Sequence, residues 1–176
     1  MKLFRRRIYS SIGAFWKDLK GLFSDRKKIR ALMREELIPP CFRERIMLAV
    51  TSVNKCRYCS YGHSRQALTE GVPQEEVRSL CHGVLDESPE EEIPALLYAQ
   101  HWADCSGNID QDTRERIIAI YGPQKTHAIE MSIRLIQTGN LLGNTFDYFL
   151  YRMTFGRKGL IAEERQTKRP VDRIPT

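Results

Sequence analysis

The sequence predicts an all-α fold, and three observations predict it. Apolar residues recur at spacings of three and four through one segment after another, as amphipathic helices require. Capping Ser and Asp, prolines at first helical positions and glycines just past the ends sit at the edges of those segments. No run of strict apolar–polar alternation is long enough to make a strand.

Phe4, Ile8, Ile12, Phe15, Leu19 and Leu22 form the first apolar stripe, so a basic amphipathic helix is expected from the start of the chain. Ser24 is placed to cap a second, short helix that stops before Pro39-Pro40. Phe42, Ile46, Val50 and Val53 stripe the next helix. Another runs from about Arg57 to Glu70, with Gly71 to terminate it. Pro73 opens a short helix that closes near Gly83. Ser88-Pro89-Glu90-Glu91-Glu92 combines a cap, a proline and acids on the positive end of the helix dipole. The helix it starts should run to about Cys105. Asp110 or Asp112 caps the following one, which Gly122-Pro123 ends. The last helix begins near Gln124 and reaches toward Phe155, with Gly139 and Gly143 as weak points. Residues 156–176 are polar and basic, hold Pro170 and Pro175, and read as an extended tail or an arm toward a neighbouring subunit.

A chain of 176 residues can bury a core of its own as one domain. The expected division is a basic helical extension over 1–38, a helical domain over 39–155 and a polar basic tail over 156–176. No stretch of ~18 apolar residues exists, so no membrane-spanning helix is expected. The net charge is +6, but residues 1–34 hold eleven Lys/Arg against two Asp, a balance of +9, which leaves −3 for the rest. A nucleic-acid-binding domain carries its excess positive charge on the folded body, so no nucleic-acid partner is expected. The first helix sets Phe15, Trp16, Leu19, Leu22 and Phe23 beside Arg5, Arg6, Lys17 and Lys20. It is expected to pack on its own domain or on a partner subunit, with weak contact of residues 1–34 to an anionic membrane surface as the alternative.

Five cysteines with a single close pair do not make a secreted disulfide framework. The basic N-terminus lacks the small-residue cleavage site of a signal peptide, so a cytoplasmic location is expected. Cys41, Cys81 and Cys105 read as buried small apolar residues, Trp16 and Trp102 as packing, and Asn140 and Asn144 as buried polar anchors.

The chemistry concentrates in Cys56-Arg57-Tyr58-Cys59, with His63 four residues beyond Cys59. On a helix these three side chains share one face. Cys56 falls at the helix N-terminus, where the positive end of the dipole favours a thiolate. His63 can add charge as a cation or take the thiol proton as a base. Two thiols at this spacing can close a disulfide. Spacing alone leaves a zinc site equally open, with His63 as third ligand and a fourth from His101, Cys105, Cys81 or His82.

The stretch from Glu44 to His63 resembles the active-site segment of the carboxymuconolactone decarboxylase superfamily. More narrowly, it resembles the AhpD-like alkylhydroperoxidase branch, in which a glutamate on one helix precedes a C-x-x-C-x-x-x-H opening the next. The likeness continues through Ala67-Leu68-Thr69-Glu70-Gly71-Val72-Pro73 and Glu75-Glu76-Val77. It implies an AhpD-like domain of six to eight helices in a homo-oligomer, a trimer or hexamer, with no metal or cofactor. It implies that Cys59, paired with His63, attacks a hydroperoxide or disulfide, and that Cys56 resolves the product as a redox-active disulfide. An unidentified thiol reductant would reset the pair. Glu44 would serve the proton relay. In that branch the residue before the second cysteine is a histidine of the relay; here it is Tyr58, a phenol and a poor base near neutral pH. The decarboxylase branch lacks the thiol pair, so lactone decarboxylation is not implied. The alternatives are a zinc-binding structural or regulatory module and a non-catalytic oligomeric interaction protein.

Overall fold

The computed structural model describes residues 4–24 and 38–166. Among these the chain is all-α, with seven helices and no strand. They are α1 (Ile12–Ser24), α2 (Pro40–Asn54), α3 (Arg57–Thr69), α4 (Gln74–Cys81), α5 (Ile93–Asp104), α6 (Gln111–Met153) and α7 (Ala162–Gln166). None is long and apolar enough to cross a membrane. The helix expected after Ser24 lies outside the described residues.

α2 is the axis of the molecule. It packs against α3, α4, α5 and α6 at once, so every residue from Phe42 to Val50 is buried, not only the expected stripe. Full burial forces its charged residues into pairs. Arg45 meets Glu76 of α4 at 2.6 Å and Glu92 at 3.2 Å. Arg43 meets Glu44 at 3.6 Å. Ile129, Met131, Ile133 and Ile136 of α6 and Leu96 of α5 close the apolar core around it.

The break between α2 and α3 places the thiols. Lys55 takes a left-handed conformation (φ 55°, ψ 39°) and donates its N–H to Thr51 O. Cys56 is then extended and caps α3. Two residues thus turn the chain, and α3 starts beside the end of α2.

Three expectations need correction. Residues 4–11 are not helical; α1 starts at Ile12, where Ser11 Oγ accepts the Ala14 N–H at 3.1 Å. The reason is Arg6, whose side chain is drawn into buried ion pairs with Asp147 (2.7 Å) and Glu164 (3.3 Å), while the Tyr9 N–H bonds Thr145 Oγ1. α5 starts at Ile93, one turn after Ser88. Pro94 has no N–H to give the Glu90 carbonyl, so an uninterrupted helix from Pro89 would lose a rung, and residues 90–92 stay as turns. The segment 156–166 is folded back rather than extended: Leu160 and Glu164 are buried. Gly159 permits this, with φ 84° and its Cα so close to Asp147 O that a Cβ would sit 2.1 Å from it.

Elsewhere the punctuation reads as expected. Asp110 caps α6, accepting the Thr113 N–H at 2.8 Å. Gly122 (φ 74°, ψ 162°) kinks α6 just before Pro123, which makes it two helices end to end.

Candidate functional site

Cys56 is the N-cap of α3, and its Sγ accepts the Cys59 backbone N–H at 3.4 Å. The two sulfurs lie 2.7 Å apart, both as free cysteines. Cys56 is 0 % exposed, whereas Cys59 is half-buried. The thiol pKa of Cys56 is lowered to about 7. The hydrogen bond from the Cys59 thiol is the main cause, against burial, with help from the N–H groups of Cys59 and Tyr58 and from the charge of Arg6. The Cys59 thiol is pushed up, first by holding that shared proton and then by burial. The balance of the pair favours the thiolate on Cys56, at the helix N-terminus, over Cys59.

One turn along α3, His63 Nδ1 lies 2.7 Å from Glu44 Oε2. The Glu44 side chain is only 4 % exposed and that of His63 is 27 % exposed. Glu44 is thus a buried carboxylate held between His63 and Arg43, not a solvated one. His63 and Cys59 share a face of α3 but make no hydrogen bond in this reduced state. The imidazole is turned to Glu44.

Tyr58 faces the opposite way. Its hydroxyl donates to Asp147 Oδ1 at 2.8 Å and receives Arg57 Nη2 at 2.8 Å. Its pKa is raised, by burial and then by Asp147. Tyr58 therefore joins a network from α6 rather than the Glu44–His63 pair.

That network joins Asn140 and Asn144, buried as the sequence suggests, to Asp147 and Gly143, which sequence reasoning missed. Asp147 is 0 % exposed and binds Arg6, Arg57 and Tyr58. Asn144 accepts from Arg6 and donates to Asn54 O, two residues before Cys56. Asn140 accepts from Thr51 at 3.2 Å. Gly143 lies against the thiol: a Cβ there would stand 2.7 Å from Cys56 Sγ. Asn140, Gly143, Asn144 and Asp147 recur at three and four, a polar strip along the C-terminal part of α6. That strip was the available signal.

The remaining candidates do not join the site. Cys81 sits by Ser64 (3.2 Å) and Ser60 (3.7 Å). Cys41, Cys81 and Cys105 are all half-buried rather than fully enclosed. His82 and His101 are exposed. Among the described residues no group of three His, Cys, Asp or Glu side chains is arranged to hold a metal. Trp102 packs edge-on to Tyr98, as expected, but Trp16 is 52 % exposed. A pocket of about 230 Å³ opens beside Cys56, lined also by Lys55, Arg57, Ser60 and Cys81.

The family model described as the carboxymuconolactone decarboxylase family matches residues 27–86, about a third of the chain. The matched span includes α2, α3 and α4, and with them Glu44, Cys56, Cys59 and His63. It supports the superfamily that the sequence resembles and does not distinguish its branches. No curated protein and no solved structure matches the chain.

Proposed function

We propose that the protein is a thiol–disulfide oxidoreductase of the alkylhydroperoxidase type, working through Cys56 and Cys59. The observation that carries this reading is the contact of the two sulfurs at a helix N-terminus, with an acid–base pair, Glu44–His63, one turn away. A disulfide needs an S–S separation near 2.05 Å, so only a small side-chain adjustment separates the reduced pair from the oxidised one.

Cys59 makes the first attack, because it has open surface and Cys56 has none. Its proton crosses the 2.7 Å contact to the Cys56 thiolate, and His63 delivers the proton that the departing alkoxide takes as the O–O bond breaks, giving an alcohol and a Cys59 sulfenic acid. Glu44 holds the imidazolium that forms on the way. The Cys56 sulfur then attacks Cys59, and hydroxide leaves with the second thiol proton as water. One hydroperoxide and two thiols yield one alcohol, one water and one disulfide. A separate dithiol supplies the two electrons that reopen it. A disulfide substrate would follow the same order through a mixed disulfide.

The same reading includes a homo-oligomer in a reducing cytoplasm. Leu142, Phe146, Phe149 and Met153 support the first part: they form an apolar row on α6, each 51 % exposed or more. The Phe146 ring lies tilted against Tyr58, with centroids 6.2 Å apart, so the row borders the thiols.

Peptide mapping after a stoichiometric dose of an organic hydroperoxide tests the proposal. The expected product is a Cys56–Cys59 disulfide with one hydroperoxide consumed per pair. Oxidation of Cys41, Cys81 or Cys105 while Cys56 and Cys59 stay free would overturn it.

A further inference from the structure

α1 lies on the domain with its polar side inward. Ala14, Lys17, Asp18 and Gly21 line a cleft of about 830 Å³ that Met131, Thr138 and Leu141 of α6 close from the other side. Tyr9 donates its hydroxyl to Asp18 at 3.1 Å within that contact. The apolar side is divided: Phe15 and Leu19 are half-buried, Phe15 against Tyr9, while Ile12 is 76 % exposed and Trp16 is 52 % exposed. A helix that served only to cover its own core would not leave both of these in water.

At about 100° per residue, Ile12 and Trp16 are roughly 40° apart and Lys20 is roughly 40° beyond Trp16. Lys17 and Lys20 are both exposed. An indole and a branched alkyl group flanked by long cationic side chains match a bilayer interface. The apolar groups enter the acyl boundary, and the lysine stems extend back to the headgroups.

Charge selects the occupant. Residues 1–34 carry +9 and the rest of the chain −3. An anionic surface attracts this end and repels the body, which orients the molecule as well as binding it. A second copy of the same face would bring two +9 segments together.

From these observations we infer that α1 docks the protein on anionic lipid bilayers, with Ile12 and Trp16 inserted and Lys20 at the phosphates. This goes beyond the thiol chemistry and does not depend on it.

The test is co-sedimentation of the full chain with vesicles of phosphatidylglycerol and phosphatidylcholine, against vesicles of phosphatidylcholine alone. The protein should pellet with the anionic vesicles only, and less as salt is raised. Trp16→Ala should lower the partition by about tenfold, as should Ile12→Ser, from the apolar area lost. With Trp102→Phe, Trp16 becomes the sole tryptophan, and its emission should move to the blue on binding. The unmodified chain failing to pellet with anionic vesicles would overturn the proposal. So would a partition that Trp16→Glu leaves unchanged. A dimer that Trp16→Glu dissociates, with no vesicle binding by the parent, would assign the face to a second copy instead.

Discussion

A shared proton between two sulfurs puts the nucleophilic character of the pair on a pH scale. With the Cys56 thiol lowered to about 7, the thiolate is present above that pH and lost below it. The ultraviolet absorbance of the thiolate in the reduced protein should therefore show an inflection near neutrality instead of the ~8.5 of a free cysteine. Cys59→Ala removes the donating thiol, so the inflection should move up; Cys56→Ala should abolish it. An inflection that instead survives in Cys56→Ala and vanishes in Cys59→Ala would place the anion on Cys59. Glu44 bears on the next step. Glu44→Gln keeps the shape but cannot hold a charged imidazolium, so turnover should fall ~10²–10⁴-fold. Arg43 is itself only 6 % exposed and faces Glu44, so Gln also strands a buried cation at a cost of about 3 kcal/mol. Glu44→Asp retains the charge beside Arg43 and separates the two effects: turnover drops while the thermal midpoint recovers. Turnover unchanged in Glu44→Gln would remove Glu44 from the mechanism.

On α6, two glycines four residues apart give opposite expectations. A Cβ at Gly139 meets nothing within 4 Å, so Gly139→Ala should stabilise by up to ~1 kcal/mol through helix propensity. A Cβ at Gly143 would stand 2.7 Å from Cys56 Sγ, so Gly143→Ala should destabilise by about 1–3 kcal/mol and displace the thiol. Denaturant midpoints of the two variants decide this, and equal gains in both would refute the close approach of α6 to Cys56. The sequence marks Gly143 only as a weak point in a helix, and the difference shows what is legible at this scale. Local chemistry is readable: the cap at Asp110, the break at Gly122-Pro123, the stop at Gly71 and the Cys56–His63 face depend on neighbours in the chain. The Glu44–His63 pair came from a family resemblance spanning two adjacent helices. Arg6, Asn144 and Asp147 meet at the α2–α3 junction across up to 141 positions of sequence, and no local spacing encodes such a meeting. Arg6 was one of many cations in a basic segment, and nothing in its neighbourhood separated it from Arg5 or Arg7.

Across the whole molecule, the two ends of the described chain meet behind the thiols. Arg6 is 8 % exposed, and its guanidinium reaches Asn144, Asp147, Glu164 and the Gly159 carbonyl. It therefore clamps the segment after α6 to the segment before α1. It also contributes positive charge that lowers the Cys56 pKa. Arg6→Met keeps much of the volume and removes the charge. Asp147 keeps Arg57, but that partner's side chain is 40 % exposed and cannot replace a buried one, while Glu164 is left without its cation. Breaking a buried pair on one side costs about 3–5 kcal/mol, and in a chain of this size each kcal/mol lowers the midpoint by roughly 2–4 °C. A fall on the order of 10 °C is expected, with new proteolytic cleavage between 156 and 166 and a thiolate-absorbance inflection for Cys56 moved upward. Arg6→Lys divides these outcomes. It preserves the charge but not the fork that grips four acceptors, so the midpoint should still fall while the inflection stays near 7. An Arg6→Met protein with the parent's midpoint and cleavage pattern would show that the ends are held without this residue. A midpoint that falls while the inflection stays put would confine Arg6 to the clamp and leave the tuning of Cys56 to the N-terminus of α3 and the Cys59 thiol.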